Sequence, residues 1–218
     1  MPENDTIIQA TANHIKSLLS GEGSGHDWWH VYRVWQNVLA IAKHEQADLF
    51  IVELAALLHD IGDHKFHGGD ESVGPRMAQE WLESLEVKAT DIDHICLIIK
   101  EISYKGAGTS SAMNSVEGQI VQDADRLDAI GAIGIGRAFA YGGHKGHEMY
   151  NPAIKPVLHD SFEAYKTASA PTLNHFYEKL LLLKYRMHTK TAKAMAAQRH
   201  QYMEGFLAQF YQEWEGRL

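Results

Sequence analysis

Histidine and aspartate side chains brought to the margin of an apolar core can hold a metal ion. One stretch of this chain leads an apolar run into that pair. From Leu49 to Leu58 every position is apolar except Glu53, and the run continues into His59-Asp60, then Asp63, His64 and Lys65. A helix this apolar is buried over most of its surface. Burying an imidazole and several charges at its end is unfavourable unless something satisfies them, and a bound cation does so. The dipeptide alone is weak: it recurs at His26-Asp27 and His159-Asp160, and only His59-Asp60 ends an apolar helix. By itself the pair can equally be two side chains bonded to each other and to the helix end.

Two further segments carry partners of the right type. At the helical repeat of about 100° per residue, Val31, Val34, Trp35, Val38, Ile41 and Ala42 form one apolar arc, with His30 at its edge. Arg33 and Asn37 follow His30 along the same side. In the segment beginning at Val116, the apolar side is Ile120, Val121, Ala124 and Leu127; Asp125 and Asp128 share one side, with Arg126 between them. Three helices thus each place His or Asp at a core margin. Two imidazoles and two carboxylates, with no thiolate, suit Mn, Fe, Co, Ni, Zn or Mg rather than a structural zinc. Four such ligands leave positions open on a six-coordinate ion for water and a substrate oxygen, as metal-assisted hydrolysis requires.

The elements that must position these residues read as helices throughout. Helices are expected over about Asp5–Leu19, Asp27–His44 with Asp27 as N-cap, and Asp48 to near Gly62. Further helices are expected from Ser72 to Leu85, and from Thr90, with Asp93 completing a capping box, to near Ser103. One long helix is expected from Val116 to Tyr141, ended by Gly142-Gly143, and two more over Thr172–Met187 and Thr189–Trp214. Alternating runs and hairpin dipeptides are nearly absent. The expected fold class is all-α, one helical-bundle domain over residues 1–218.

Composition narrows the function. A hydrophobic share of 45% across 218 residues supports a sizeable core, and a net charge of −8 argues against nucleic-acid and membrane-surface binding. Any phosphate must therefore be met by a local basic pocket. The single cysteine, Cys96, lies in an apolar segment and reads as a small packing residue. The first residues, MPENDTIIQA, do not form a signal peptide, and the longest run of apolar residues and glycine, Ala129–Gly136, is too short to span a bilayer. A cytoplasmic protein, with a homodimer as the expected assembly, is the reading. The Gly131, Gly134, Gly136 spacing lacks the preceding strand of a dinucleotide fingerprint and is expected to serve close helix packing.

His30 in GHDWWHVYRV, His59-Asp60 in LLHDIGDHK and Asp125 in VQDADRLDAIGA fall in an order and spacing that resemble the HD-domain superfamily of metal-dependent phosphohydrolases. The resemblance is good over residues 26–140, which would form the metal-site core, with C-terminal helices over 158–216 packing on it. HFYEKLLLLKYRM, residues 175–187, resembles the C-terminal part of a bacterial subgroup that includes nucleotide pyrophosphohydrolases. The resemblance implies that His30, His59, Asp60 and Asp125 hold one divalent ion, manganese foremost, with Mg, Co, Ni, Fe and Zn as alternatives. It implies hydrolysis of a nucleotide by a metal-bound hydroxide, with a nucleoside triphosphate as the leading substrate. Nucleotide monophosphatase or phosphodiesterase activity, or a non-catalytic nucleotide-binding module, are the alternatives. Asp60 could also orient the attacking water, and Asp63 is the candidate general base. Lys65, Arg126, Arg33, Lys105 and Lys145 are the candidate phosphate-binding cations. Members with two metals add later histidines; here His64 and His94 are available, and Ile102-Ser103-Tyr104 stands where some relatives carry His-Ser-Phe. A single-metal site is therefore expected.

Overall fold

The computed structural model describes residues 3–19, 27–62, 70, 72–102, 113–158 and 170–217. Those residues form helices and connecting segments, with no strand among them. In order they are α1 (Asn4–Leu18), α2 (Trp28–Ala42), α3 (Leu49–Leu58), α4 (Val73–Ser84), α5 (Ala89–Glu101), α6 (Val116–Asp128), α7 (Gly131–His144), α8 (Thr172–Glu178), a 3-10 helix (Leu180–Arg186) and α9 (Lys190–Trp214). The all-α class follows the periodicity of the sequence. The described residues up to Asp125 form one compact unit, and those from Arg126 onward form a second.

In the first unit α3 is the central element: α1, α2 and α5 all pack against it, and α4 packs on α5. This is why its sequence is apolar nearly all round; Ile51, Val52, Leu54, Ala55, Ala56, Leu57 and Leu58 are buried. Each large aliphatic side chain so buried contributes roughly 1.5–3 kcal/mol. Glu53, the one polar residue of the run, accepts a hydrogen bond from the Trp35 indole on α2 at 2.7 Å, so the exception ties the two helices together. Asp48 caps α3 by accepting from the Phe50 amide, and Asp27 caps α2 by accepting from the His30 amide. Cys96 is half-buried and donates to the Pro75 carbonyl; burial, with Asp93 and Glu83 nearby, pushes its thiol up. It is a protonated packing residue.

In the second unit α9 packs on α7 and on the 3-10 helix, and α8 packs on both of those. Its buried core is mostly aliphatic, with an aromatic cluster built around buried Phe176. Phe139, Phe176, Phe206 and Phe210 stand with ring centroids 6.0–6.4 Å apart, and Tyr150 meets Phe210, Tyr211 and Trp214 edge-on at 5.1–6.0 Å.

Several boundaries differ from the sequence-based expectation, each for a local reason. The single helix expected over Val116–Tyr141 is two. Ile130 is extended and Gly131 adopts φ +78°, a left-handed conformation that glycine accepts without strain. Gly142-Gly143 does not end α7, which runs on to His144; Gly142 instead lies against Thr172, where a Cβ would meet the hydroxyl at 2.1 Å. Of the three spaced glycines, Gly131 meets the Arg199 stem and Gly134 meets the Ala129 backbone, whereas Gly136 has open space beside it. The Thr90 capping box does not form: α5 starts at Ala89 with Lys88 as N-cap, and Thr90 bonds to Asp91 inside the first turn. The helix expected over Thr172–Met187 breaks at Lys179 and tightens into the 3-10 helix, which turns Leu180 and Leu183 inward on its three-residue repeat.

Candidate metal centre

α3 ends at Leu58, earlier than the expected stop near Gly62, and His59 is its C-cap. The chain continues as a turn through Gly62, with the Ile61 amide bonded to the Leu58 carbonyl at 3.1 Å. The turn lies close on the start of α4: a Cβ on Gly62 would stand 2.9 Å from the Gly74 amide nitrogen. Only a glycine permits that approach, and it holds the segment carrying His59 and Asp60.

The His59 Nδ1 atom lies 2.7 Å from the Ala56 carbonyl and donates its proton there. The lone pair of this tautomer is then on Nε2, facing the His30 Nε2 at 3.2 Å. Asp60 Oδ2 is 3.3 Å from His30 Nε2 and 3.6 Å from His59 Nε2. Asp125 Oδ1 joins them at 3.5 Å from His30 Nε2. His30, His59 and Asp60 offer ligand atoms all within 4.8 Å of one another. Both histidines are buried, while the Asp125 side chain is 37% exposed and leaves one side of the group open.

The donor set fits a divalent ion. Nitrogen and oxygen acceptors converge at 3.2–3.5 Å around His30 Nε2. One proton on that atom can serve one of these contacts at a time; a cation between them serves all.

The other residues singled out in the sequence take varied places. Arg33 is half-buried on α2, three residues after His30. Arg126 is buried in the second unit, where its guanidinium donates to the Arg186 carbonyl and meets the His188 ring at 3.2 Å. Lys145, the C-cap of α7, lies over the Tyr141 ring at 5.7 Å. His94 is half-exposed with Nε2 3.9 Å from Glu117. Asp128 departs furthest from its expected company: it is buried and accepts from Arg137 at 2.6 Å instead of joining Asp125. Asp63, His64, Lys65 and Lys105 lie outside the described residues, as do His26, His159 and Asp160.

Sequence reasoning passed over the polar ties that hold α6. Asn37 donates to the Ala124 carbonyl at 3.3 Å, Gln122 to the Ile102 carbonyl at 3.2 Å, and the Asp48 amide to Glu117 at 3.0 Å. The available signal was Asn37, an amide two turns beyond His30 on the same side of α2, beside its apolar arc.

Comparison with known proteins gives this arrangement a family. The HD domain model matches residues 28–130, a span that contains all four converging side chains. YpgQ of Bacillus subtilis is 40% identical over 205 residues, covering 93% of this chain and 91% of YpgQ. The chain belongs to the HD-domain superfamily. An HD-superfamily hydrolase from Bacillus thuringiensis superposes on this HD chain with a TM-score of 0.78 at 42% identity, covering 98% and 99% of the two chains. A protein of Lactobacillus plantarum gives a TM-score of 0.83 at 39% identity, over 99% and 100%. The crystal structure of YpgQ in complex with ADP superposes at 0.77 over 96% of each chain, with 33% identity in the structural alignment. The HD-domain assignment makes the chain a hydrolase with a candidate site for a divalent metal. Among the described residues no helix is long and apolar enough to cross a membrane.

Proposed function

We propose that this chain is a cytoplasmic, metal-dependent phosphohydrolase that cleaves a nucleoside triphosphate to the monophosphate and pyrophosphate. The observation that carries the reading is the convergence of His30, His59, Asp60 and Asp125 at 3.2–3.6 Å, open on the Asp125 side. The ADP complex of YpgQ supports a nucleotide as the ligand.

In this reading the four side chains hold one divalent ion, manganese foremost. Bound there, the ion acidifies a water and polarises a phosphoryl oxygen. The protein's own part is orientation. The Ala56 carbonyl holds the His59 proton on Nδ1 and keeps Nε2 available. Burial of both imidazoles restricts their rings and excludes bulk water from that side. In this reading Asp60, 3.3 Å from His30 Nε2, also orients the attacking water, and Asp63 is assigned the removal of its proton on sequence spacing alone. The cations Lys65, Arg33, Lys105, Arg126 and Lys145 are the proposed phosphate contacts. Arg126 would have to serve that role while keeping its bonds to Arg186 and His188.

The test is release of phosphate and pyrophosphate from a panel of nucleoside mono-, di- and triphosphates. Chelator-stripped protein is resupplied with Mn, Mg, Co, Ni or Zn, and Asp60→Ala serves as control. Pyrophosphate from triphosphates, lost in the control, is the expected result. Inorganic phosphate from monophosphates would move the assignment to a nucleotidase. Absence of any product from folded, metal-loaded protein would leave a nucleotide-binding module.

A further inference from the structure

α6 supplies Asp125, and its side chains Ile120, Val121 and Ala124 are fully buried. Three polar contacts add direction to that apolar packing. The Glu117 carboxylate accepts from the Asp48 amide near the start of the helix, and Gln122 donates to Ile102 at its middle. At the turn carrying Asp125 the tie is Asn37, buried at 8% exposure, whose Nδ2 donates to the Ala124 carbonyl.

We infer that Asn37 is a positioning residue for the metal centre: it fixes the rotation and height of α6 so that Asp125 faces His30. This rests on the metal-binding reading above. Asn37 and His30 are seven residues apart, so they project from the same side of α2 about 10 Å apart along its axis. Their partners, Ala124 and Asp125, are consecutive. α2 therefore grips one turn of α6 from two points, one through the backbone and one through the ligand itself. Burial of Ile120, Val121 and Ala124 seats the helix, but apolar packing is non-directional. Held at the Ala124 carbonyl as well, the helix presents the carboxylate in one orientation before an ion arrives. The carbonyl of a helical residue has a second lone pair, so Ala124 can accept from Asn37 without giving up its place in the helix. The residue acts through Asp125 and touches neither the ion nor the substrate.

The test compares Asn37→Leu, which keeps bulk without a donor, and Asn37→Ala, which cannot overpack the site, with Val38→Ala. Val38 is fully buried on the same helix, so its truncation loosens the core without touching the tie. Mn2+ dissociation constants are measured by calorimetry, and unfolding midpoints are recorded on the metal-free proteins. The expected result is an affinity loss of about 10–100-fold in both Asn37 variants, the range typical of groups that orient a metal ligand, with Val38→Ala retaining wild-type affinity at an equal or lower midpoint. Wild-type affinity in either folded Asn37 variant overturns the inference, as does an equal loss in Val38→Ala. Wild-type protein that fails to bind Mn2+ overturns the metal reading and the inference with it, an outcome distinct from the other two.

Discussion

Asp125 and Asp128 stand one turn apart on the same helix and end in opposite surroundings. Asp128 is buried, with Arg137 at 2.6 Å; Arg199, which donates to the Leu127 carbonyl beside it, feels its charge. Burial lowers the Arg199 pKa and the Asp128 carboxylate works against that shift. Asp125 is half-exposed and faces an imidazole within a group of nitrogen and oxygen acceptors. One carboxylate is completed by cations of the chain itself, whereas the other is grouped with further ligands. The first arrangement is structural. The second suits a ligand supplied from outside. On a helical wheel the two residues share one side, and only the resemblance to HD-domain proteins singles out Asp125.

The largest expected effect of this difference is on activity. Asp125→Ala should abolish divalent-dependent nucleotide turnover while leaving the metal-free unfolding midpoint unchanged or higher, because it relieves crowding among acceptors. Product release and thermal melts on one preparation check both halves. A midpoint drop in Asp125→Ala matching that of Asp128→Ala would erase the contrast.

Asp128→Ala should act on stability. Removing one partner of a buried ion pair costs about 3–5 kcal/mol, and the partial exposure of Arg137 places this case near or below the lower end. Denaturant unfolding measures it, and Mn2+ affinity of the folded fraction should persist. The same contrast sets the response to metal: saturating Mn2+ should raise the melting temperature of wild type and Asp128→Ala, and leave Asp125→Ala unmoved, since only a protein that binds the ion gains by mass action.

A fourth prediction concerns the second unit alone. Burial, reinforced by the Lys179 charge, lowers the His175 pKa to about 3 from 6.5. The unfolded chain therefore takes up a proton at that ring at a pH where the folded chain does not. The stability contributed by neutral His175 is complete above about pH 6.5 and is lost progressively down to about pH 3. His175→Gln should flatten that part of the pH–stability curve, as read by melts across the window.

The smallest effect is at Gly136, an interior position of α7 with nothing near its Cα to obstruct a methyl group. Gly136→Ala should stabilise by about 0.5–1 kcal/mol through helix propensity. Gly142→Ala, against Thr172, should destabilise instead.

The all-α fold and the four converging residues were legible because they rest on short-range patterns. The run into His59 is apolar because α3 is central, and His30 and Asp125 border apolar arcs that must face a core. The break at Ile130-Gly131 was not legible. Apolar and small residues run through it without interruption, and it depends on a left-handed glycine beside the stem of Arg199, far along the chain. The end of α3 was misplaced for a related reason: Ile61-Gly62 looks like more helix, but the close approach to Gly74 turns it. Asp128 was grouped with Asp125 because a helical wheel shows which side a residue occupies and not which cation arrives there.

The C-cap at His59 has a consequence for the electrostatics of the site. The aligned peptide dipoles of a helix leave roughly half a negative charge at its carboxyl end. α3 delivers that pole at Leu58, directly before His59 and Asp60, and Asp60 and Asp125 add their formal charges. The local potential of this corner therefore disfavours a polyphosphate arriving alone and attracts a cation. On the function proposed above, a divalent ion held by these side chains would offset most of that charge, so the site would take a polyphosphate more readily with the ion bound.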